Sequence, residues 1–169
     1  MPLTTNLVFL YRDNDVRPST PQRRRAFSHS LGSSPMTPNP GDSASRTKLV
    51  TQRDIELFTK ITGDRNPLHY DETAAGQSRF GGIVVQGGVT SGLLNAVVAE
   101  DLPGPGSVFL NVNWNFRAPV KPGDTITGRV EVVRTRKDKP MTTLDCLITN
   151  QDDVVVLDGT ALVWTESLG

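Results

Sequence analysis

Between Gly87 and Ala99 the chain carries no charged side chain, while Val89, Leu93, Leu94, Val97 and Val98 recur at helical spacing. Ser91, Gly92, Asn95 and Ala96 fill the other faces. A helix without a charged face is stable only where other elements cover most of it. The sequence supplies that cover directly afterwards. Pro103-Gly104-Pro105-Gly106 stops the helix, and from Ser107 the apolar period changes from helical to two. Val108, Leu110, Val112, Trp114 and Phe116 alternate with Phe109, Asn111, Asn113, Asn115 and Arg117, the pattern of a half-buried strand. Three further strands are predicted: through Ile126, Val130 and Val132; through Leu144, Cys146 and Ile148; and from Val154 to Trp164. The turns between them read KPGD (121–124), RKDKP (136–140) and NQDD (150–153). One apolar helix and one curved antiparallel sheet make an α+β domain in which the sheet wraps the helix. Such a sheet ends in edge strands with unpaired backbone groups. Pairing edges across a two-fold axis resolves that liability, so a homodimer is expected.

Ahead of the apolar helix lies a shorter, amphipathic one. Thr51 reads as its N-cap, with Asp54 at the capping-box position, and Ile55, Phe58 and Ile61 follow at helical spacing. Thr62-Gly63 ends it, a weak strand precedes it near 46–50, and a second helical turn is expected from Asp71 through ETAAGQSR. Between the two helical segments stands TGDRNPLHYDE (62–72), which holds His69, one of only two histidines. Pro67 lacks an N–H and biases Asn66 away from helix, so this stretch is irregular.

Composition narrows the classes of function. Eighteen basic and 18 acidic residues give no whole-chain field that would draw nucleic acid or an anionic membrane. No apolar run approaches the ~20 residues of a membrane-spanning helix. One cysteine, Cys146, cannot form an internal disulfide, which points to a reducing compartment, and its alternation with Leu144 and Ile148 marks a packing position. Residues 1–38 read as a Ser/Pro-rich tail ahead of a domain at 39–169. Too little apolar surface is present there to offset the entropy of ordering it. The tail carries five arginines (12, 17, 23, 24, 25) against Asp13 and Asp15, a net of 5 − 2 = +3. Arg-rich, Ser-rich and acid-poor composition describes a mitochondrial presequence, whereas the aspartates and prolines fit a solvated tail; the expected location is mitochondrial, otherwise cytoplasmic. His29 belongs to this tail and is assigned no catalytic part.

Asp64 and His69 stand on either side of a proline-stiffened loop, the fixed separation needed by two groups that share one water. A carboxylate accepts a proton from that water, and a neutral imidazole holds the same water or passes a proton on. Asn66 locks such a loop through its side-chain amide. This is a layout for adding water to a double bond or removing it. Negative charge developing on a thioester oxygen would be met by free N–H groups at the head of the apolar helix, where Gly87 permits close approach. The same residues also admit a plainer reading: D-x-N-P is a common turn signal, and an Asp–His pair in a loop is often a hydrogen-bonded cap. One histidine without a second ligand cluster makes a poor metal site. The glycines of GGIVVQGG match neither a dinucleotide fingerprint nor a phosphate-binding loop.

FTKITGDRNPLHYDE resembles the signature of the MaoC-like, (R)-specific enoyl-CoA hydratases (hydratase 2), and the likeness continues through FGGIVVQGG, LPGPGSVFLN, FRAPVKPGD and RKDKP. It covers roughly residues 40 to 165. The resemblance implies a hot-dog fold, a homodimer, and syn addition of water to trans-2-enoyl thioesters of coenzyme A or acyl carrier protein in fatty-acid metabolism, or the reverse dehydration. It implies Asp64 and His69 as the catalytic pair, Asn66 as the loop support, Gly87 as the N–H donor to the thioester carbonyl, and no cofactor. Two departures stand out. The helix start reads V-Q-G-G where the family usually has V-H-G followed by Met or Val, so Gln86, a candidate substrate-binding residue, can still hydrogen-bond but cannot carry charge, and Gly88 is expected to loosen the helix start. Asn95 falls where bacterial relatives carry a serine that shapes the acyl pocket, so a reshaped pocket is expected. The eukaryotic branch of the family includes a mitochondrial 3-hydroxyacyl-thioester dehydratase, with which the Arg/Ser-rich tail agrees. Rival functions are a hot-dog thioesterase, which needs no D-x-N-P-x-H loop, and a non-catalytic acyl-thioester-binding subunit.

Overall fold

The computed structural model describes residues 38–168. The tail reading, residues 1–38, therefore lies outside the described residues except for Pro38. The order is β1 (Ser43–Leu49), α1 (Gln52–Thr62), a single 3-10 turn (Pro67–His69), α2 (Glu72–Gln77), α3 (Gly87–Glu100), β2 (Ser107–Phe116), β3 (Thr125–Thr135), β4 (Met141–Thr149) and β5 (Val155–Thr165). The five strands form one sheet in the order β1-β3-β4-β5-β2, antiparallel at every pairing. This is the hot-dog arrangement: α3 lies on the concave face as the filling. Thr90, Leu93, Leu94, Val97 and Val98 are its buried residues. They meet the inward residues of the sheet, among them Ile126, Val130, Leu144 and Ile148, all fully buried. The weak strand expected near 46–50 is the full seven-residue β1, registered against β3.

The first strand after α3 departs from simple alternation. A bulge between Phe109 and Asn111 makes Leu110 an extra residue in the ladder with β5. The inward set is consequently Phe109, Val112 and Trp114, which pack against the core, while Val108, Leu110 and Phe116 are exposed. Phe109 and Trp114 meet edge to face with centroids 5.7 Å apart. In α1 the buried residues are Ile55 and Thr59, whereas Ile61, though correctly spaced, is exposed. Cys146 is a packing residue: burial pushes its thiol up to about 11, against the pull of Trp114, so it stays protonated and unreactive near neutral pH. Among the described residues no helix is long and apolar enough to cross a membrane.

The start of α1 is fixed electrostatically. Asp54 Oδ2 accepts from the Thr51 N–H at 2.8 Å and from its hydroxyl at 2.9 Å, and Oδ1 pairs with Lys48 Nζ at 2.8 Å. Gly63 closes the other end in the left-handed region (φ 79°), its N–H on Thr59 O at 2.8 Å. Burial alone would raise the Asp54 pKa, but Lys48 and the two Thr51 donors outweigh it and hold the carboxyl below its ordinary value. A folded-state pKa below the unfolded one stabilises the protein above the unfolded value of ~3.9 and ceases to do so as pH falls through the folded value. Asp54→Asn is therefore expected to lower stability by about 1 kcal/mol near pH 7, with the gap in urea midpoint to wild type closing below about pH 4. Leu94→Ala, which empties a fully buried site between helix and sheet, is expected to destabilise by about 2–5 kcal/mol in the same titration.

Candidate active site

The stretch between α1 and α2 folds through its own side chains. Asp64 Oδ1 accepts the Asn66 N–H at 3.1 Å, and Asn66 Oδ1 accepts the Leu68 N–H at 3.1 Å. Asn66 thereby caps the 3-10 turn that Pro67 begins. Of the acids around His69, Asp71 is a cap, its Oδ1 taking the N–H groups of Thr73 and Ala74 at 2.9 and 3.0 Å. Asp64 is the one that faces the imidazole.

His69 is buried, and its ring is oriented from behind. Nδ1 lies 2.7 Å from the carbonyl of Val84, which can only accept, so Nδ1 carries the proton. In the neutral imidazole this leaves Nε2 with its lone pair forward, 3.5 Å from Asp64 Oδ2. That gap is too long for a direct hydrogen bond, and a water lying to one side of the pair is within reach of both atoms. The Val84 segment is itself held, Val84 N–H on Leu68 O at 3.1 Å and Val85 N–H on Val120 O at 2.8 Å. The Asp64 side chain is 39% exposed and that of His69 11%, so the pair is reachable from solvent through its carboxylate side.

Gly87 is the first residue of α3, and its N–H meets no partner among the described residues. The Phe116 ring lies so close that a Cβ at 87 would sit 3.1 Å from it. A cavity of about 370 Å³ opens here, its walls including Phe80, Val84, Val85, Gly87, Thr90 and Phe116. Arg79 and Arg117 also border it. The Arg79 guanidinium is 5.4 Å from the centre of the Phe80 ring, and Arg117 Nε is 2.7 Å from Asp158 Oδ2. Neither Asp64 nor His69 is among the residues that line this cavity in the single chain. Val84 connects the two places, since it borders the cavity and anchors the imidazole.

Two expectations concern the residues of α3. Gly88 does not loosen the helix start: the Phe58 ring of α1 occupies the place of the missing side chain, where a Cβ would overlap the ring at Cζ. Asn95 is exposed and does not border the cavity, because the buried face of α3 runs through residues 90, 93, 94, 97 and 98. Gln86 is buried but lies outside the cavity wall. Its Nε2 donates to Thr59 Oγ1 at 3.1 Å and reaches Ile55 O at 3.5 Å, while its Oε1 has no partner among the described residues. Sequence reasoning overlooked Thr59 and Tyr70, whose hydroxyls meet beside Gln86. The available signal was Thr59 itself, a polar residue one turn after Ile55 on the face α1 turns inward.

A family model described as MaoC like domain matches residues 36–151. The chain belongs to the MaoC-like domain family. Its relatives include the 3-hydroxybutyryl-CoA dehydratase of Methylorubrum extorquens, 42% identical over 116 residues that cover 69% of this chain and 73% of the relative. The mitochondrial 3-hydroxyacyl-[acyl-carrier-protein] dehydratase of Arabidopsis thaliana is 29% identical over 124 residues, covering 72% and 74%. Among solved structures, the (R)-hydratase from A. caviae involved in PHA biosynthesis aligns with a TM-score of 0.74 at 31% identity, covering 78% of this chain and 99% of that one. Within this MaoC-like domain the junction of α1 and α3 depends on a ring meeting a glycine. Gly88→Ala is expected to destabilise by about 1–3 kcal/mol through overpacking. The loss should be smaller in a Phe58→Leu background, which a double-mutant cycle in urea would detect.

Proposed function

We propose that the protein is an (R)-specific hydro-lyase that adds water to trans-2-enoyl thioesters and catalyses the reverse dehydration of (R)-3-hydroxyacyl thioesters. The observation that carries this reading is the Asp64–His69 pair, 3.5 Å apart, with the imidazole held in the Nδ1–H form by Val84. In that tautomer Nε2 and the Asp64 carboxylate are both acceptors, so one water can donate to each. In hydration the water oxygen bonds to C3 of the enoyl group as Asp64 takes a proton from it. The π electrons move toward the thioester carbonyl, where the Gly87 N–H at the positive end of α3 stabilises the enolate oxygen. The pair then returns one proton to C2 on the same face, so each turnover leaves both groups as they began. Relatives named dehydratase and (R)-specific enoyl-CoA hydratase support this chemistry.

The V-Q-G-G departure does not favour a non-catalytic subunit, since Phe58 and Thr59 accommodate Gly88 and Gln86 in a packed, hydrogen-bonded helix start. The acyl chain would run along the apolar wall formed by Val84, Val85 and Phe116, with the carrier, coenzyme A or acyl carrier protein, outside. A homodimer is proposed from β2, an edge strand that leaves Val108, Leu110 and Phe116 exposed next to that wall. A mitochondrial location is proposed from the Arg-rich residues 1–38 together with the mitochondrial relative; sequencing the N-terminus of the native protein would reveal a cleaved presequence, and an intact Met1 in the organelle-free fraction would refute it.

Hydration of crotonyl-CoA by the purified protein, followed by chiral analysis of the 3-hydroxybutyryl product, tests the assignment. Asp64→Asn and His69→Ala are each expected to lower kcat by about 10²–10⁴-fold with an unchanged unfolding midpoint. Normal turnover by either variant, an (S) product, or free thiol in place of hydrated product would refute it.

A further inference from the structure

The three groups assigned to the reaction sit on three separate pieces of chain. Asp64 follows α1, His69 ends the 3-10 turn, and Gly87 starts α3. One side chain touches a neighbour of each. Thr59 Oγ1 donates to the main-chain carbonyl of Asp64 at 2.7 Å. It also meets the hydroxyl of Tyr70, the residue after His69, and the Nε2 of Gln86, the residue before Gly87. We propose that Thr59 is the positioning residue of the reaction, its hydroxyl, oriented by Gln86, holding the carboxylate, the imidazole and the helix head in one fixed arrangement.

Hydrogen-bond polarity supports a designed hub over a chance cluster. A threonine hydroxyl has one proton and two lone pairs. The Asp64 carbonyl can only accept, so it takes the proton. Gln86 Nε2 and the Tyr70 O–H must then donate, and the hydroxyl is saturated. The amide orientation of Gln86 follows, because the reverse would set its oxygen against the carbonyl of Ile55. Its Oε1 has no partner among the described residues although Gln86 is only 2% exposed. An orphaned buried acceptor is unfavourable, and the arrangement retains it to keep the donor on Thr59. Thr59 is itself 7% exposed, so water does not readily replace a lost bond.

Reacting groups held on separate segments lose rate steeply when they drift, about 10²-fold for a displacement on the order of 1 Å. A residue that only stapled α1 to the loop would move stability and leave the kcat-to-KM split alone. This inference rests on the proposed hydratase activity. The experiment is steady-state hydration of crotonyl-CoA by Thr59→Val, Thr59→Ser, Gln86→Met and the Thr59→Val/Gln86→Met pair, each assayed well below its own unfolding midpoint. Thr59→Val, matched in shape and lacking the hydroxyl, is expected to lose about 10- to 100-fold in kcat with KM within about threefold of wild type. Thr59→Ser should keep kcat within about threefold. Gln86→Met should fall as Thr59→Val does, and the double variant should be little worse than either single one, because both break the same arrangement. Should Thr59→Val fail to fold, Gln86→Met and Tyr70→Phe decide the matter by the same kcat criterion. Wild-type kcat in Thr59→Val or Gln86→Met, a Thr59→Ser loss as large as that of Thr59→Val, or losses that multiply in the double variant would overturn the proposal. An active wild type with a dead Asp64→Asn and a normal Thr59→Val would sink only this inference, whereas an inactive wild type or an active Asp64→Asn would sink the hydratase reading and this inference with it.

Discussion

The structure depends on covering α3. It carries no charge before Glu100, and its buried residues Leu93, Leu94, Val97 and Val98 find partners only if a sheet bends around them. The curvature, the bulge in β2 and the long strands all serve that enclosure. A helix held this firmly also offers a fixed positive end. Gly87 is displayed at the rim of the sheet, where no earlier carbonyl of its own helix can take the N–H. The same enclosure that stabilises the fold therefore creates a rigid donor for an oxyanion.

Around that end the remaining polar groups are locked by bonds to the main chain. His69 is turned by the Val84 carbonyl, Asn66 caps the turn at Pro67, and Thr59 takes the Asp64 carbonyl. Binding through main-chain atoms leaves the working atoms, Asp64 Oδ2 and His69 Nε2, free to face each other. An acid–base pair whose members were held through those atoms would have nothing left for a substrate. The departures from the usual family pattern follow the same logic. Gly88 makes room for the Phe58 ring, and Gln86 trades a charge-capable side chain for a neutral donor aimed at Thr59.

Much of this was legible in the residues. The uncharged helical stretch and the period-two runs after Ser107 marked the filling and its wrapper, and TGDRNPLHYDE marked the loop that carries the acid and the imidazole. The reading went astray where a side chain's direction depends on something outside its own segment. Perfect alternation from Val108 to Phe116 hid a bulge that turns Phe109 inward and Leu110 out. Ile61 kept the helical spacing yet faces solvent, while Thr59 on the neighbouring stripe is buried.

By itself the sequence determined which segments are helix or strand, that one helix must be enclosed, and that Asp64, Asn66 and His69 share one stiffened loop, because these follow from periodicity and from proline and glycine geometry within a few residues. The tertiary structure alone decided which way the imidazole points, what fills the space above Gly88, and that a single threonine hydroxyl joins three segments. Those contacts span from 5 positions of sequence, Thr59 to Asp64, up to 31, Ile55 to Gln86. No local pattern encodes them, since each partner's position is set by how the sheet closes on the helix.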